Sequence, residues 1–534
     1  MSDDARRDEE QATQKRASIL GLDYVDTNAI QNKQLFKNIL SINDLQTMKV
    51  VPITSDRFNV QFGITNTTSQ QTMSHLKQQF SDQRVSFALI SDAGYRDYMR
   101  LYSPPRQVVY QNIELTNAGT QELVNSVSAT LEQVRADDML AYLVSQAHKL
   151  NASDIHVENQ REAVRIRLRI DGVLHPIAKI SQQKNRILLS AIASAANIST
   201  AAEDAQQGHI SEKVSMADGS FVDVNLRIET VPTVNGMDVV MRLFNLREDM
   251  YTLDKLGLSV KERKVVDDII AKPSGLVLAV GPTGSGKTTT LYSMLNTLNI
   301  DTRKIITIED PVEYQFGGIT QIPVRSTSGQ ETNFANKLRA VLRLDPDVVM
   351  VGEIRDLDTA KTALQASLTG HLVLSTFHAG SAAAALTRIL DVIEENPLLA
   401  TAIRLVMAQR LVRKLDDKIK QPYSPTSAEL DHIKKVIETL PTDATKPDLT
   451  KIQLFKPGKS AENPYGFSGQ IALREQFLMN DKIIGVLQKG ASGASTKDIE
   501  NVAVESGMTT MLQDGILKVC AGQTTLQEVA RVVG

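Results

Sequence analysis

Cysteine, tryptophan and long apolar runs are scarce or absent in this chain of 534 residues. The single cysteine, Cys520, excludes an intramolecular disulfide and a thiolate zinc cluster, and it fits a reducing compartment. No run of about eighteen apolar residues is present to cross a membrane. Residues 1–17 are charged where a signal peptide would be apolar. The sequence therefore predicts a soluble, cytoplasmic protein without direct membrane insertion.

The chain also lacks an excess of positive charge. Lysine and arginine number 59 against 62 aspartates and glutamates, a net charge of −3, and aromatic residues make up only 4% of the chain. Proteins that hold single-stranded nucleic acid usually combine a basic groove with exposed aromatic rings. We therefore expect no direct nucleic-acid partner.

The length exceeds what one hydrophobic core usually supports, so about three or four domains are expected. Residues 1–17 are predicted to be a disordered tail. Residues 18–103 mix strand-like runs such as FNVQFGIT with helix-like runs such as NKQLFKNILSI, which predicts a small α/β domain. It carries no catalytic constellation, so we interpret it as a docking domain, and residues 104–121 as a linker.

A second domain is predicted at 122–245. It begins with a helical pattern and continues into AVRIRLRIDGVLHPIAKI, where Arg165, Arg167 and Arg169 alternate with apolar residues. This alternation predicts a strand with one basic and one buried face. For any single arginine of the three, a solvated sheet face is the favoured interpretation. Asp171-Gly172 then predicts a tight hairpin turn.

Residues 246–257 are interpreted as a hinge, and strand-like and helix-like stretches alternate through residues 258–534. This alternation predicts βα units around a mostly parallel sheet, with ligands at the carboxyl ends of its strands. Residues 418–465 interrupt it with a segment rich in Pro, Ser, Thr and Lys, in which DHIKKVIETL predicts a short helix.

The stretch LVLAVGPTGSGKTTTLYSML, 276–295, fits a phosphate-binding loop between a strand and a helix. Glycines let backbone N–H groups face the phosphates, and the helix adds its positive end. Lys287 would hold the β- and γ-phosphates, and Thr288 would offer a hydroxyl to Mg²⁺. We therefore predict ATP and Mg²⁺ as ligands. The predicted nucleotide-binding residues are Gly281, Pro282, Thr283, Gly284, Ser285, Gly286, Lys287, Thr288 and Thr289.

Polar side chains end the three strands that follow. IITIEDPVEY supplies Glu309, Asp310 and Glu313, and the sequence does not say which of these acids positions the attacking water. LDPDVVMVGE ends on Glu353, a candidate for organising Mg²⁺ and its waters. TGHLVLSTFH ends on His378, which could contact the γ-phosphate.

Together these motifs resemble the hexameric ATPases of type II secretion and type IV pilus assembly, within the secretion ATPase superfamily. The resemblance is strong over about residues 120–415. GPTGSGKTTTLY matches the family's phosphate loop, ITIEDPVEY its acidic box, LRLDPDVVMVGEIRD its Walker B region and LTGHLVLSTFHAGSA its histidine box. This family resemblance implies an α/β chain with a RecA-like catalytic domain, a C-terminal helical region, a PAS-like second domain and a small N-terminal domain.

The resemblance also implies roles for single residues. Glu313 is the expected water activator, Glu353 the glutamate on the metal side and His378 the γ-phosphate contact. Arg227, in VNLRIETVPT, is the arginine that the second domain would offer to the nucleotide. Such a positive charge would stabilise the transferring phosphoryl group.

Two departures from the family pattern are visible. AQQGHI places His209 where the resemblance expects an arginine. Residues 416–465 contain no cysteine where many relatives carry a four-cysteine zinc module, so no zinc is expected.

The function that this resemblance implies is a motor at the inner membrane. It would form a homo-hexamer, act on a polytopic inner-membrane platform protein and bind a second membrane-associated partner through residues 18–103. The presence of this N-terminal domain favours assembly over retraction, and type IV pilus assembly is the preferred interpretation. Type II secretion, a conjugation or DNA-uptake ATPase, and a scaffold that binds ATP without cleaving it remain alternatives.

Overall fold

The computed structural model forms two compact units, Met1–Val109 and Tyr110–Gly534. Most of the predicted linker at 104–121 and part of the predicted hinge, 246–250, lie outside the described residues. The described residues are 3–30, 33–102, 113, 120–215, 221–244, 251–324, 334–393, 398–442, 444–460, 463, 465–488 and 495–534.

The first unit combines helices with a four-stranded sheet. Its four strands lie in the order β1-β4-β3-β2, with β2 antiparallel to β3 and the other pairs parallel. Phe62, Leu76 and Tyr98 are fully buried in its core. The elements are α1 (Asp3–Leu20), β1 (Asp23–Tyr24), α2 (Ile42–Met48), β2 (Val50–Ser55), β3 (Asn59–Ile64), α3 (Gln70–Gln79), β4 (Arg84–Leu89) and α4 (Asp92–Tyr102).

The prediction of a disordered tail at 1–17 is wrong, because α1 begins at Asp3. Ala17 is 1% exposed and belongs to the core of the unit. Glu9 accepts a hydrogen bond from the Ala93 backbone N–H, 3.1 Å, and Glu10 accepts one from the Ser91 hydroxyl, 2.6 Å. The charges that suggest a solvated tail therefore include two carboxylates that attach the helix to its own domain.

The helix predicted from NKQLFKNILSI is also wrong. Residues 33–41 form no helix, and α2 begins only at Ile42. Ser41 caps it, accepting from the Asp44 N–H while the Asp44 carboxylate accepts from the Ser41 N–H. This reciprocal capping fixes the helix start in a way that hydrophobic spacing does not reveal.

The second unit begins with an antiparallel sheet in the order β7-β6-β5-β10-β9-β8. The predicted hairpin is confirmed, since Asp171 and Gly172 have φ of 48° and 81° between β6 and β7. The elements are α5 (Thr120–Gln133), α6 (Met139–Lys149), β5 (Ala152–Asn159), β6 (Val164–Ile170), β7 (Val173–Ile180), α7 (Gln182–Ala196), β8 (Gln206–Ser215), β9 (Phe221–Thr233) and β10 (Gly236–Phe244).

A second sheet follows in the same unit, in the order β13-β12-β14-β15-β11-β16-β19. Its pairs are parallel except for β16 with β19. The strands are β11 (Gly275–Val280), β12 (Ile305–Glu309), β13 (Thr320–Pro323), β14 (Val348–Val351), β15 (Leu372–Phe377), β16 (Ile403–Leu415), β17 (Gln421–Tyr423), β18 (Leu454–Lys456) and β19 (Phe467–Leu478), of which β17 and β18 form a separate pair.

Helices cover both faces of this sheet. Along β11, Leu276 and Leu278 pack into one apolar cluster, while Val277 and Ala279 pack into another. Ser427–Glu438 confirms the helix predicted from DHIKKVIETL. The helices are α8 (Val260–Ile270), α9 (Lys287–Leu298), α10 (Phe334–Val341), α11 (Leu357–Leu368), α12 (Ala382–Ile393), α13 (Leu398–Ala402), α14 (Ser427–Glu438), α15 (Asp481–Leu487), α16 (Thr496–Glu505), α17 (Met511–Cys520) and α18 (Leu526–Val533).

Among the described helices, none combines the length and the apolar character that a membrane crossing would require. The parallel strands β11, β12, β14 and β15 end at one edge of their sheet. The predicted phosphate loop, the acids and His378 follow those ends and therefore meet at that edge.

Candidate nucleotide site

The loop of residues 281–286 connects β11 to α9 and is shaped by its glycines. Gly281 has φ of 153°, and a Cβ there would lie 2.4 Å from Ser285 Oγ and 2.7 Å from the Gln409 carbonyl oxygen. Gly286 precedes Lys287 with φ of 83°, a left-handed conformation that residues with a side chain rarely adopt. The loop therefore needs glycine for close packing at its start and for its turn into the helix.

Lys287 is the first residue of α9 and is only 8% exposed. Its ammonium donates hydrogen bonds of 2.8 Å to the carbonyl oxygens of Gly281 and Pro282. Burial lowers the pKa of Lys287 to about 8, against an opposing effect of the Glu353 charge. A second anion beside this ammonium would favour its charged form and raise its pKa again, as expected for a phosphate-binding lysine.

Gln409, on β16, supports the loop from behind. Its side-chain N–H donates to the Ser285 carbonyl oxygen, 2.7 Å, and its side-chain oxygen accepts from the Thr290 hydroxyl, 2.9 Å. One amide thus fixes the loop to the first turn of α9. Sequence reasoning did not single out Gln409.

A cavity of about 750 Å³ lies in front of the loop, a size typical of ligand sites. Of the predicted nucleotide-binding residues, Gly281, Pro282 and Ser285 belong to the loop without lining the cavity. Thr283, Gly284, Gly286, Lys287, Thr288 and Thr289 line it. So do all the predicted catalytic residues, namely Glu309, Asp310, Glu313, Glu353, His378 and Arg227.

The three acids at and after the end of β12 have different environments. Glu309 is 3% exposed, and its carboxylate accepts hydrogen bonds from the Tyr292 hydroxyl, the Thr307 hydroxyl and the Gln321 amide. Burial raises the pKa of Glu309, although these hydrogen bonds oppose the rise. Its oxygens are therefore already used by the protein. Asp310, in contrast, is exposed.

Glu313 is half-buried and lies near three cations. Burial raises its pKa and the Glu309 charge adds to the rise, whereas Arg242, Arg227 and Lys287 lower it. No described residue donates a hydrogen bond to the Glu313 carboxylate. Of the three acids, it combines partial burial with an uncommitted carboxylate and nearby positive charge, as a water-activating base requires.

Glu353 follows β14 and faces two basic side chains. Arg355 forms an ion pair with it, and His378 Nε2 lies 3.7 Å from its carboxylate. Burial lowers the pKa of His378, and the Lys287 charge lowers it further. The surroundings of His378 therefore favour its neutral form, which keeps one ring N–H to offer to a phosphate.

A row of five polar residues crosses the antiparallel sheet at one register. Cα pairing joins His209 to Arg227, Arg227 to Arg242, Arg242 to Asp154 and Asp154 to Arg169. Directly paired residues project on the same face of a sheet. All but His209 line the cavity. The second domain thus presents three arginines to the site, not the single Arg227 that was predicted.

Asp154 holds two of these arginines. It is 3% exposed, and its carboxylate lies 2.9 Å from Arg242 Nε and 3.5 Å from Arg169 Nε. Arg169 is partly exposed, as predicted for a solvated sheet face, but it also lines the cavity. Arg165 and Arg167 pair with Glu158 and do not line the cavity. Arg242 was missed because only strand pairing brings VVMRLF beside Arg227.

The positions of two oxygen donors suit a magnesium ion. Thr288 and Glu353 line the same cavity as the phosphate loop. No cluster of three or more His, Cys, Asp or Glu side chains able to hold a metal occurs within the described ranges. Mg²⁺ accepts one or two protein oxygens and completes its shell with phosphate and water, so these two residues fit it.

Comparison with known proteins gives matches over most of the chain. Residues 131–531 match the family model described as type II/IV secretion system protein. A type II secretion system protein E of Xanthomonas campestris pv. campestris is 41% identical over 396 residues, which are 73% of this chain and 66% of the relative. The protein of the same name from Pseudomonas aeruginosa is 40% identical over 392 residues, covering 73% and 74% of the two chains.

Among solved structures, the ATPase DotB of Legionella pneumophila superposes with a TM-score of 0.54. The match covers 75% of this chain and 96% of DotB, at 21% sequence identity. At this identity the likeness concerns the fold alone.

Proposed function

The chain belongs to the type II/IV secretion system protein family of ATPases, and on that premise we propose that it is the ATP-cleaving motor of a type II secretion system. The observation that carries the proposal is one cavity lined by the phosphate loop, Glu313, Glu353 and the three arginines of the second domain. The sequence favoured type IV pilus assembly. The two relatives that are 41% and 40% identical to this chain are both named for type II secretion. Type IV pilus assembly therefore becomes the alternative.

In the proposed mechanism, the loop of residues 281–286 receives the phosphates of ATP through its backbone N–H groups and the amino end of α9. The Lys287 ammonium leaves the Gly281 and Pro282 carbonyl oxygens for the β- and γ-phosphates. Thr288 and Glu353 would hold Mg²⁺, which when bound would neutralise phosphate charge.

Hydrolysis then needs a water held in line with the γ-phosphate. Glu313 orients this water and takes its proton as the O–P bond forms, while ADP leaves with the bridging oxygen. Arg227 and Arg242 stabilise the charge on the transferring phosphoryl group. His378 contacts the γ-phosphate and, through Glu353, responds to its loss.

Conversion of hydrolysis into motion depends on the second domain, for which we retain the PAS-like assignment. Its arginines reach the cavity of the catalytic domain, where they would contact the γ-phosphate that ATP has and ADP lacks. ATP and ADP would therefore favour different arrangements of the two domains. Residues 246–257 are the proposed hinge. A homo-hexamer in the cytoplasm, peripheral to the inner membrane, would pass this motion to a polytopic platform protein. Residues 18–103 would bind a second membrane-associated partner.

Two measurements test the proposal. The purified full-length chain should release phosphate from Mg²⁺-ATP, and Lys287→Ala should not. A bacterial strain that lacks its own copy should regain export of its secreted enzymes with the wild-type chain and remain defective with Lys287→Ala.

Restored pili without restored export would favour the pilus alternative. Turnover that depends on single-stranded DNA would favour a DNA-handling ATPase, and binding without turnover would favour a scaffold.

A further inference from the structure

Tyr292 lies in α9 behind the phosphate loop and is fully buried. Its hydroxyl has two partners, one at the last residue of β12 and one in the segment that follows β12. It donates a hydrogen bond to the Glu309 carboxylate and accepts one of 3.2 Å from the Glu313 backbone N–H. A single oxygen therefore joins a buried carboxylate to the main chain of the proposed water-activating residue.

The Glu309 carboxylate extends this connection to the other side of Glu313. It accepts from the Gln321 side-chain amide, 3.0 Å, and the same amide donates to the Tyr314 carbonyl oxygen, 2.9 Å. The Gln321 side-chain oxygen accepts from the Phe316 N–H, 2.8 Å. Residues 313–316 are thus held at three backbone positions by one connected network.

Aromatic rings pack around the same segment. The ring centroid of Phe316 lies 5.1 Å from that of Tyr292 and 4.7 Å from that of Tyr314. Tyr251 lies within the proposed hinge, and its ring centroid is 5.3 Å from that of Tyr292 and 5.2 Å from that of Tyr314. The Asn296 side chain donates to the Tyr251 carbonyl oxygen, 2.9 Å. Through Tyr251, the proposed hinge therefore contacts the segment that carries Glu313.

We propose that Tyr292 is a positioning residue for hydrolysis: its hydroxyl, oriented by Glu309, fixes the main chain of Glu313 and so aims the Glu313 carboxylate. In this assignment Glu309 acts on Tyr292 and does not touch the attacking water. The assignment rests on the proposed function of Glu313 and replaces the prediction that Glu309 belongs with the catalytic acids.

Tyr292→Phe removes only the hydroxyl and keeps the ring that packs against Phe316. The turnover number for ATP should fall about three- to tenfold, the factor that one hydrogen bond represents, with an unchanged KM. KM should hold because the phosphate loop, Lys287 and Gln409 are untouched. Tyr423→Phe is the matched control, since Tyr423 donates to Glu429 through an equivalent hydroxyl away from the site. It should leave both constants at the wild-type value.

Glu309→Gln separates positioning from catalysis. An amide can still hydrogen-bond the Tyr292 hydroxyl, so this variant should keep more turnover than Tyr292→Phe. A loss as complete as that of Glu313→Gln would make Glu309 a catalytic acid and overturn the assignment. A rise in KM with an unchanged turnover number in Tyr292→Phe would also overturn it.

Hydrogen–deuterium exchange tests the contact independently of turnover. Loss of the hydroxyl that accepts from the Glu313 N–H should speed exchange in the peptide 311–316 by about three- to tenfold. Unchanged exchange would refute the assignment. A wild-type chain that does not cleave ATP would contradict the proposed function, and exchange would then still decide whether Tyr292 holds this segment.

Discussion

Replacement of Glu313 by glutamine tests the proposed chemistry at one atom. The substitution keeps the size of the side chain but removes its charge and its ability to take a proton. Glu309 is enclosed by three hydrogen-bond donors and Asp310 is exposed, so neither is placed to substitute for it. The loss should therefore reach the range of a positioned general base, about 10²- to 10⁴-fold in turnover.

Nucleotide binding should survive the same substitution. Glu313 lies near Lys287, Arg227 and Arg242, the cations that would contact the triphosphate. Removal of a negative charge from this group does not weaken its attraction for phosphate, so affinity for ATP should be equal or higher. Single-turnover phosphate release measures the first effect, and equilibrium titration with a fluorescent ATP analogue measures the second.

The pH dependence provides a second signature. Burial and Glu309 raise the pKa of Glu313, and its ionised form is the active base. Turnover should therefore decline on the acid side at a pH above that expected for an ordinary glutamate. Asp310→Asn should keep this decline and most of the activity. Turnover of Glu313→Gln within about tenfold of wild type, with an unchanged acid limb, would refute the assignment of the base.

Other substitutions address the rest of the site. Burial lowers the pKa of Lys287 to about 8, so the lysine loses its charge as pH rises through this value. The affinity for ATP, measured by titration, should therefore fall above pH 8. Lys287→Ala should abolish binding or turnover at every pH. Glu353→Gln should block phosphate release while ATP titration shows binding largely intact, and wild-type release would contradict its role. Arg227→Ala should slow hydrolysis by about 10- to 10³-fold without lowering the melting temperature, and an unaffected rate would remove it from the site. Asp154→Asn should slow hydrolysis less than Arg227→Ala does, since Arg242 and Arg169 remain but lose the carboxylate that orients them.

The strand-end motifs could be predicted because a parallel sheet brings its carboxyl ends to one edge. Glu309, Glu353 and His378 are far apart in sequence, yet each follows an apolar run that reads as a strand. The phosphate loop was similarly visible, since glycine spacing reflects local backbone requirements. These features depend on short segments and on one topological rule.

Features that depend on pairing between distant segments could not be predicted. The three arginines of the second domain meet because the register of four strands aligns Arg227, Arg242 and Arg169 with Asp154. The charged N-terminus forms a helix because Glu9 and Glu10 find donors more than eighty residues away. Nothing in the local sequence encodes either register or those partners.

The central claim is that this chain holds the triphosphate in the loop of residues 281–286 and the first turn of α9, and presents Glu313 and the three arginines of the second domain to its terminal phosphate. A structure of the protein with Mg²⁺ and a non-hydrolysable ATP analogue tests this most directly. We expect the β- and γ-phosphates within the loop, Lys287 in contact with both, and Glu313 facing the γ-phosphate beside Arg227. An analogue bound elsewhere, or a triphosphate in the loop with Glu313 and the arginines turned away from it, would contradict the claim.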